Sequence, residues 1–94
     1  MKKNLIGQGC TICTKREKYA ATIIFHDNNI IKCQRDVARI EYDAGNEKIY
    51  SFERDMLGVI FQFKLVNNIW LEFPNNNGFT CIVGVRKEEY NYNI

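Results

Sequence analysis

Residues 61–73 read FQFKLVNNIWLEF, in which apolar and polar side chains alternate on both sides of the pair Asn67-Asn68. A period of two is typical of a β-strand with one buried face. Asparagine tolerates the positive φ angles of a tight turn. The stretch therefore predicts two antiparallel strands joined by a short loop.

The register of this hairpin depends on the length of its loop. A three-residue loop ending at Ile69 sets Phe63 opposite Phe73 and brings the two apolar faces to one side. A two-residue turn would divide these faces, so we expect the longer loop. In that register Trp70 stands beside Val66 on the face turned away from the core, where the tail covers it or a partner binds it.

The same period of two continues along the chain, with turn-forming residues between the apolar runs. The predicted strands are Tyr19–His26, Ile30–Gln34, Val37–Asp43, Lys48–Glu53, Val59–Val66, Trp70–Phe73 and Phe79–Arg86. We therefore expect an all-β fold, a small antiparallel meander of six to eight strands that forms a barrel or a sandwich.

The second hairpin, 37–53, can be registered in the same way. A three-residue loop at 45–47 keeps its aromatic side chains on one face, which we expect to belong to the core. It gives three facing pairs: Ile40 with Phe52, Tyr42 with Tyr50, and Arg39 with Glu53.

Length and composition predict one domain over residues 1–94. Apolar residues make up 46% of the chain, which is enough for a core without disulfides. We expect residues 1–18 to be an irregular leading segment and residues 87–94 to be a tail or a last strand. The chain shows no apolar run of signal-peptide or membrane-span length, so we expect a cytoplasmic protein with reduced cysteines.

The motif that most resembles a reactive or metal-binding site is Cys10-x-x-Cys13, which has the spacing of two of the four ligands of a zinc site. A structural zinc ion needs four thiolate or imidazole ligands. Cys33 and His26 are the candidates for completing the set, whereas Cys81 lies in a core-like alternation. Since a second knuckle is absent from the sequence, we expect ordinary thiols and no cofactor, with zinc or a redox pair as alternatives.

The sequence contains no histidine, serine or acidic residues at a spacing typical of a catalytic site. The chain has one histidine, His26, and one serine, Ser51, and nothing in the sequence brings them together. We therefore predict that the protein is not an enzyme.

Binding to another protein is the function that remains. We predict a small inhibitor or immunity-like protein that covers a partner's active surface, as a monomer or a homodimer, without membrane contact. The eleven asparagines are typical of AT-rich bacterial or phage genomes. Tryptophan and tyrosine are common interface anchors, so the expected partner-binding residues are Trp70, Val66, Tyr90 and Tyr92.

Nucleic-acid binding is the alternative, because residues 1–39 contain eight basic and three acidic residues, although the net charge is only +2. Clustered cations bind phosphates, and an aromatic ring can stack on a base. The residues predicted for this role are Lys15, Arg16, Lys18, Tyr19, Lys32 and Arg35.

Overall fold

The protein is all-β in its computed structural model, which describes residues 4–45, 47–75 and 77–90. None of these residues forms a helix that could cross a membrane. The strands are β1 (Gly9–Cys13), β2 (Lys18–Asp27), β3 (Ile30–Arg35), β4 (Val37–Asp43), β5 (Lys48–Glu53), β6 (Ile60–Val66), β7 (Ile69–Glu72) and β8 (Thr80–Val83). The predicted antiparallel fold is confirmed, and of the two architectures the protein adopts the barrel.

Six strands close the barrel in the order β1-β2-β3-β6-β7-β8, while β4 and β5 form a separate two-stranded sheet. β1 completes the ring, because Cys10 lies opposite Ala21 of β2 on one side and opposite Val83 of β8 on the other. The leading segment expected at 1–18 therefore contains a barrel strand. Its sequence, GCTIC, is short and lacks a long apolar alternation, so the strand depends on pairing with both neighbours.

The core fills the inside of the barrel with mostly small side chains. Phe63 is the largest fully buried side chain, and it lies directly opposite the buried Ile31. The buried apolar residues are Cys10, Ile12, Ala20, Ala21, Ile23, Ile31, Cys33, Phe63 and Cys81. A six-stranded barrel has a narrow interior, which explains why cysteine and alanine occupy several of these positions.

The β6–β7 hairpin has a two-residue turn, so the predicted three-residue loop is wrong. Val66 lies opposite Ile69, and Asn67 and Asn68 both have positive φ angles, 51° and 66°. Such a turn matches the right-handed twist of the strands, and this twist outweighs the apolar pairing on which the prediction relied. Trp70 consequently lies opposite Leu65.

This register turns Trp70 inward, which corrects the expectation that it stands on the outer face. The indole is half-buried and packs against the core. Leu71 and Phe73, predicted to be in the core, instead lie on the outside of the barrel, where Phe73 is 42% exposed.

The β4–β5 hairpin also differs from its predicted register. Asp43 lies opposite Lys48, so the predicted three-residue loop is wrong: the loop is one residue longer and sets Tyr42 opposite Ile49. A bulge between Tyr42 and Ile40 then places Ile40 opposite Tyr50. The Arg39–Glu53 ion pair forms at 3.4 Å, as an exposed diagonal contact. Since the hairpin lies outside the barrel, Ile40 and Tyr42 are exposed, and their assignment to the core is wrong.

Candidate sites: a thiol cluster and an exposed hairpin

Three cysteines from three strands meet inside the barrel. The Sγ atoms of Cys10 (β1), Cys33 (β3) and Cys81 (β8) all lie within 4.8 Å of one another, and Cys33 Sγ is 3.8 Å from Cys81 Sγ. All three side chains are buried. We call these three residues the thiol cluster.

Cys13 and His26, two of the predicted zinc ligands, are not in the thiol cluster. Residues three apart in a strand point to opposite faces, so Cys13 cannot share the interior with Cys10, and it is half-buried. His26 Nδ1 accepts a hydrogen bond from the Leu5 N–H at 3.1 Å, and its ring meets Trp70 edge-on. The structure therefore does not assemble the set Cys10, Cys13, Cys33 and His26.

Sulfur–sulfur contacts control the acidity of the thiol cluster. Hydrogen bonding with Cys33 and Cys81 lowers the pKa of Cys10, against burial and the Asp36 carboxylate. The contacts with Cys10, together with burial, raise the pKa of Cys33 and of Cys81. The cluster therefore loses its first proton more easily than the second and third, which would add charge to a dry interior.

A buried polar network fixes the chain after β8 to the barrel. Arg86 Nε donates to Asp36 Oδ2 at 2.9 Å, and an Arg86 terminal nitrogen donates to Thr22 Oγ1 at 3.1 Å. Thr22 Oγ1 in turn donates to Asp36 Oδ1 at 2.8 Å. Every buried side-chain nitrogen or oxygen in the described part of the chain has a hydrogen-bond partner, so this network is a complete structural unit.

A second network surrounds Glu88, whose side chain is fully buried. It accepts a hydrogen bond from the Ala20 N–H at 2.6 Å and another from the Tyr90 hydroxyl. Arg35 lies 3.8 Å from the Glu88 carboxylate and also donates to the Tyr90 hydroxyl at 3.1 Å. Tyr90, one of the predicted partner-binding residues, thus has a role in holding the C-terminal segment.

We expect Tyr90→Phe to lower the free energy of unfolding at pH 8, with a difference from wild type that shrinks as the pH rises. Burial and the hydrogen bond to Glu88 raise the pKa of Tyr90 to about 12, above its ordinary value of 10.0. A pKa raised by folding means that the contribution is complete below pH 10 and is lost between pH 10 and 12. Urea unfolding across this range measures the difference, and a constant difference would contradict the assignment.

The residues predicted for nucleic-acid binding are only partly contiguous. The Arg35 guanidinium covers the Tyr19 ring at 4.1 Å, and Lys18 pairs with Glu89 at 3.7 Å. Lys15 and Arg16 are exposed in the β1–β2 turn. Lys32 lies apart from these residues, over the Phe25 ring. Acidic neighbours and the covered face of Tyr19 weaken this surface as a phosphate-binding site.

The predicted partner-binding residues do not form one surface either. Trp70 packs on the core, and Val66 is exposed beside the β6–β7 turn. Tyr90 contacts Tyr19 and Arg35, and Tyr92 lies outside the described residues. Trp70 is therefore half-buried against the core and does not project outward as an anchor.

Five exposed apolar side chains, including the two most exposed among the described residues, lie on and beside the β4–β5 hairpin. They are Ile40, Tyr42, Ile49, Met56 and Leu57, and we call them the hairpin surface. Leu57 is 95% exposed and Met56 is 74% exposed. A groove of about 320 Å³ runs between the start of β4 and the connection 55–59, and Leu57 is the member of the hairpin surface that lines it. The sequence carried one signal for this surface, because the adjacent apolar residues Met56 and Leu57 follow the charged pair Arg54-Asp55 in the connection between β5 and β6.

Comparison of the chain with models of known protein families, with curated proteins and with solved structures found no match.

Proposed function

We propose that this protein is a non-enzymatic binding module that recognises another protein through the hairpin surface. The observation that carries the proposal is the exposure of five large apolar side chains next to a closed barrel. Large exposed apolar patches mark interaction surfaces, and here exposed apolar side chains stand on both faces of one hairpin and on the connection beside it. The barrel acts as the scaffold, and the partner contacts the hairpin that the barrel leaves outside.

The construction of the hairpin supports this role. Ile40 and Tyr50 face each other on one side of the sheet, whereas Tyr42 and Ile49 face each other on the other side, so apolar groups stand on both faces. Within the described residues, β4 and β5 pair only with each other, which leaves both strand edges open. A lone two-stranded hairpin is marginally stable in water. A bound protein would cover its faces or pair with its edges.

Charge indicates the chemistry of the partner. Residues 37–60 contain five acidic residues and three basic residues. The acidic groups Glu41 and Asp43 lie on the same strand as Ile40 and Tyr42, and the hairpin keeps an acidic excess although Lys48 lies opposite Asp43 and Arg39 pairs with Glu53. We infer that the partner presents an apolar centre with a basic rim, since complementary potentials favour the encounter and fix the orientation. An inhibitor-like protein that covers a basic active surface fits this pattern.

Photo-crosslinking identifies the partner. A photoreactive phenylalanine analogue at Leu57, introduced in the natural host, should crosslink to one protein with a basic, apolar-centred surface. Ile82 is the control position, because it is also apolar and exposed, at 51%, but lies on β8. Equal crosslinking from both positions would contradict the proposal.

The affinity of the purified complex then tests the surface. We expect Leu57→Ser and Ile40→Ser each to weaken binding by about tenfold or more, which is about 1.4 kcal/mol. Ile82→Ser should leave the affinity unchanged. Equal losses in all three variants would contradict the assignment. A crosslinked product that is a second copy of the chain, with dimers in sedimentation velocity, would replace the foreign partner by self-association, and a nucleic acid as the only ligand would overturn the proposal.

A further inference from the structure

The thiol cluster has the geometry of a ligand site that has three sulfur donors and no fourth. Three sulfurs bound to one ion at about 2.3 Å lie about 3.8–4.0 Å apart when the ion is tetrahedral or planar, and about 3.4–3.5 Å apart when it is pyramidal. Cys33 Sγ and Cys81 Sγ are already 3.8 Å apart, and all three sulfurs lie within 4.8 Å of one another. Rotations about the cysteine χ1 angles that move each Sγ atom by less than about 1 Å would therefore bring all three sulfurs within bonding distance of one ion.

A tetrahedral zinc ion does not suit this cluster. Structural zinc sites have four protein ligands, and catalytic ones add water to three. Among the described histidines, cysteines and acidic residues, only Cys10, Cys33 and Cys81 come together in this way. The cluster is buried among apolar side chains, so a water molecule held as a fourth ligand would lack hydrogen-bond partners. The site therefore favours an ion that is satisfied by three sulfurs.

The electrostatics of the barrel favour a neutral complex. The charged side chains that act on Cys10 are Asp36 and Arg86, and these two pair with each other at 2.9 Å. Their charges nearly cancel, so little positive charge remains to balance an anion among the sulfurs. Three thiolates around Cu(I) carry a charge of −2, and around Zn(II) a charge of −1. Around a trivalent ion they carry no charge, which avoids the cost of burying one.

We propose that Cys10, Cys33 and Cys81 form a binding site for a soft trivalent metalloid ion, with As(III) as its representative. Arsenous acid, As(OH)3, reacts with the three thiols to give As(SR)3 and three molecules of water. Three As–O bonds and three S–H bonds are exchanged for three As–S bonds and three O–H bonds. No electron is transferred and no net proton is released. The lone pair of As(III) takes the fourth direction, so the ion needs no further ligand.

The binding test uses the reduced, full-length protein equilibrated with arsenite under anaerobic conditions. Native mass spectrometry should show one arsenic per chain in wild type, with the loss of three thiol hydrogens. Cys33→Ser and Cys81→Ser should weaken binding by at least about tenfold. Cys13→Ser is the matched control, because Cys13 lies outside the cluster, and it should bind as wild type does. The proposal fails if wild type binds no arsenic or if Cys13→Ser loses as much affinity as the cluster variants.

Two measurements on the wild-type protein keep the test independent of whether the variants fold. X-ray absorption of the arsenic complex should show three sulfur neighbours and no oxygen neighbour. Competition with Zn(II) should leave arsenic bound. Mixed oxygen and sulfur coordination would overturn the proposal, as would displacement of arsenic by equimolar Zn(II). The site lies in the barrel, so this result is independent of protein binding at the hairpin surface.

Discussion

Phe63→Ala is expected to lower the free energy of unfolding by about 3–5 kcal/mol, the usual range for removing a buried aromatic side chain. Phe63 is fully buried and lies opposite Ile31, where β3 pairs with β6. Truncation leaves a cavity in the barrel interior beside the buried Ile31. Urea denaturation followed by circular dichroism measures the loss, and a change below about 1 kcal/mol would contradict the assigned core.

Phe73→Ala is the matched control, since it removes the same side chain from the same hairpin. Phe73 lies on the outside of the barrel, where its ring contacts Lys64 Nζ at 5.1 Å. Loss of such a contact costs about 1 kcal/mol or less. The three-residue loop would have paired Phe63 with Phe73 in the core and predicts similar losses for both. Unequal losses therefore test the register of the β6–β7 hairpin directly.

Arg86→Met is expected to destabilise the protein by about 3–5 kcal/mol, because it leaves a carboxylate buried without its cation. The Asp36 side chain is only 2% exposed and accepts from Arg86 Nε and from the Thr22 hydroxyl. Methionine keeps most of the length of the arginine stem, so the loss reports mainly on the charge. Arg39→Met is the control, since the Arg39–Glu53 pair is exposed and should contribute less than about 1 kcal/mol.

The double variant Asp36→Leu with Arg86→Met distinguishes the contribution of the ion pair from the contribution of side-chain packing at these two positions. Replacing both members of a buried ion pair by apolar side chains is often nearly neutral. We expect the double variant to recover at least half of the loss measured for Arg86→Met alone. If the two changes are simply additive in urea unfolding, then Asp36 and Arg86 are not coupled, and the network has another role.

The barrel and the hairpin have different roles in this small domain. Buried apolar residues and the Asp36–Arg86 pair lie in or against the barrel, which carries the stability. The hairpin surface contributes little to that core, so its apolar side chains can be changed with small effects on folding. This separation makes it possible to distinguish a loss of binding from a loss of structure.

The sequence by itself determined the class of fold and the positions of most strands. Alternation with a period of two, interrupted by asparagine and glycine, depends only on neighbouring residues, and each strand pairs with strands made by the same pattern. The position of the β6–β7 turn was predicted from Asn67 and Asn68 for this reason. The strand β1 was missed because GCTIC has too short an alternation to indicate a strand without its partners.

Tertiary structure decided the registers, the core and the candidate sites. The turn at Asn67-Asn68 and the bulge after Ile40 shifted both hairpins from the registers that side-chain pairing predicts. Closure of six strands into a barrel left β4 and β5 outside, which exposed residues that look like a core in sequence. The same closure brought Cys10, Cys33 and Cys81 together from distant parts of the chain. It also made residues 9–13 a strand by pairing them with β2 and β8, and this conformation places Cys13 on the face opposite Cys10. These outcomes depend on which strands pair around the ring, and that choice is made by the whole chain rather than by any local stretch of it.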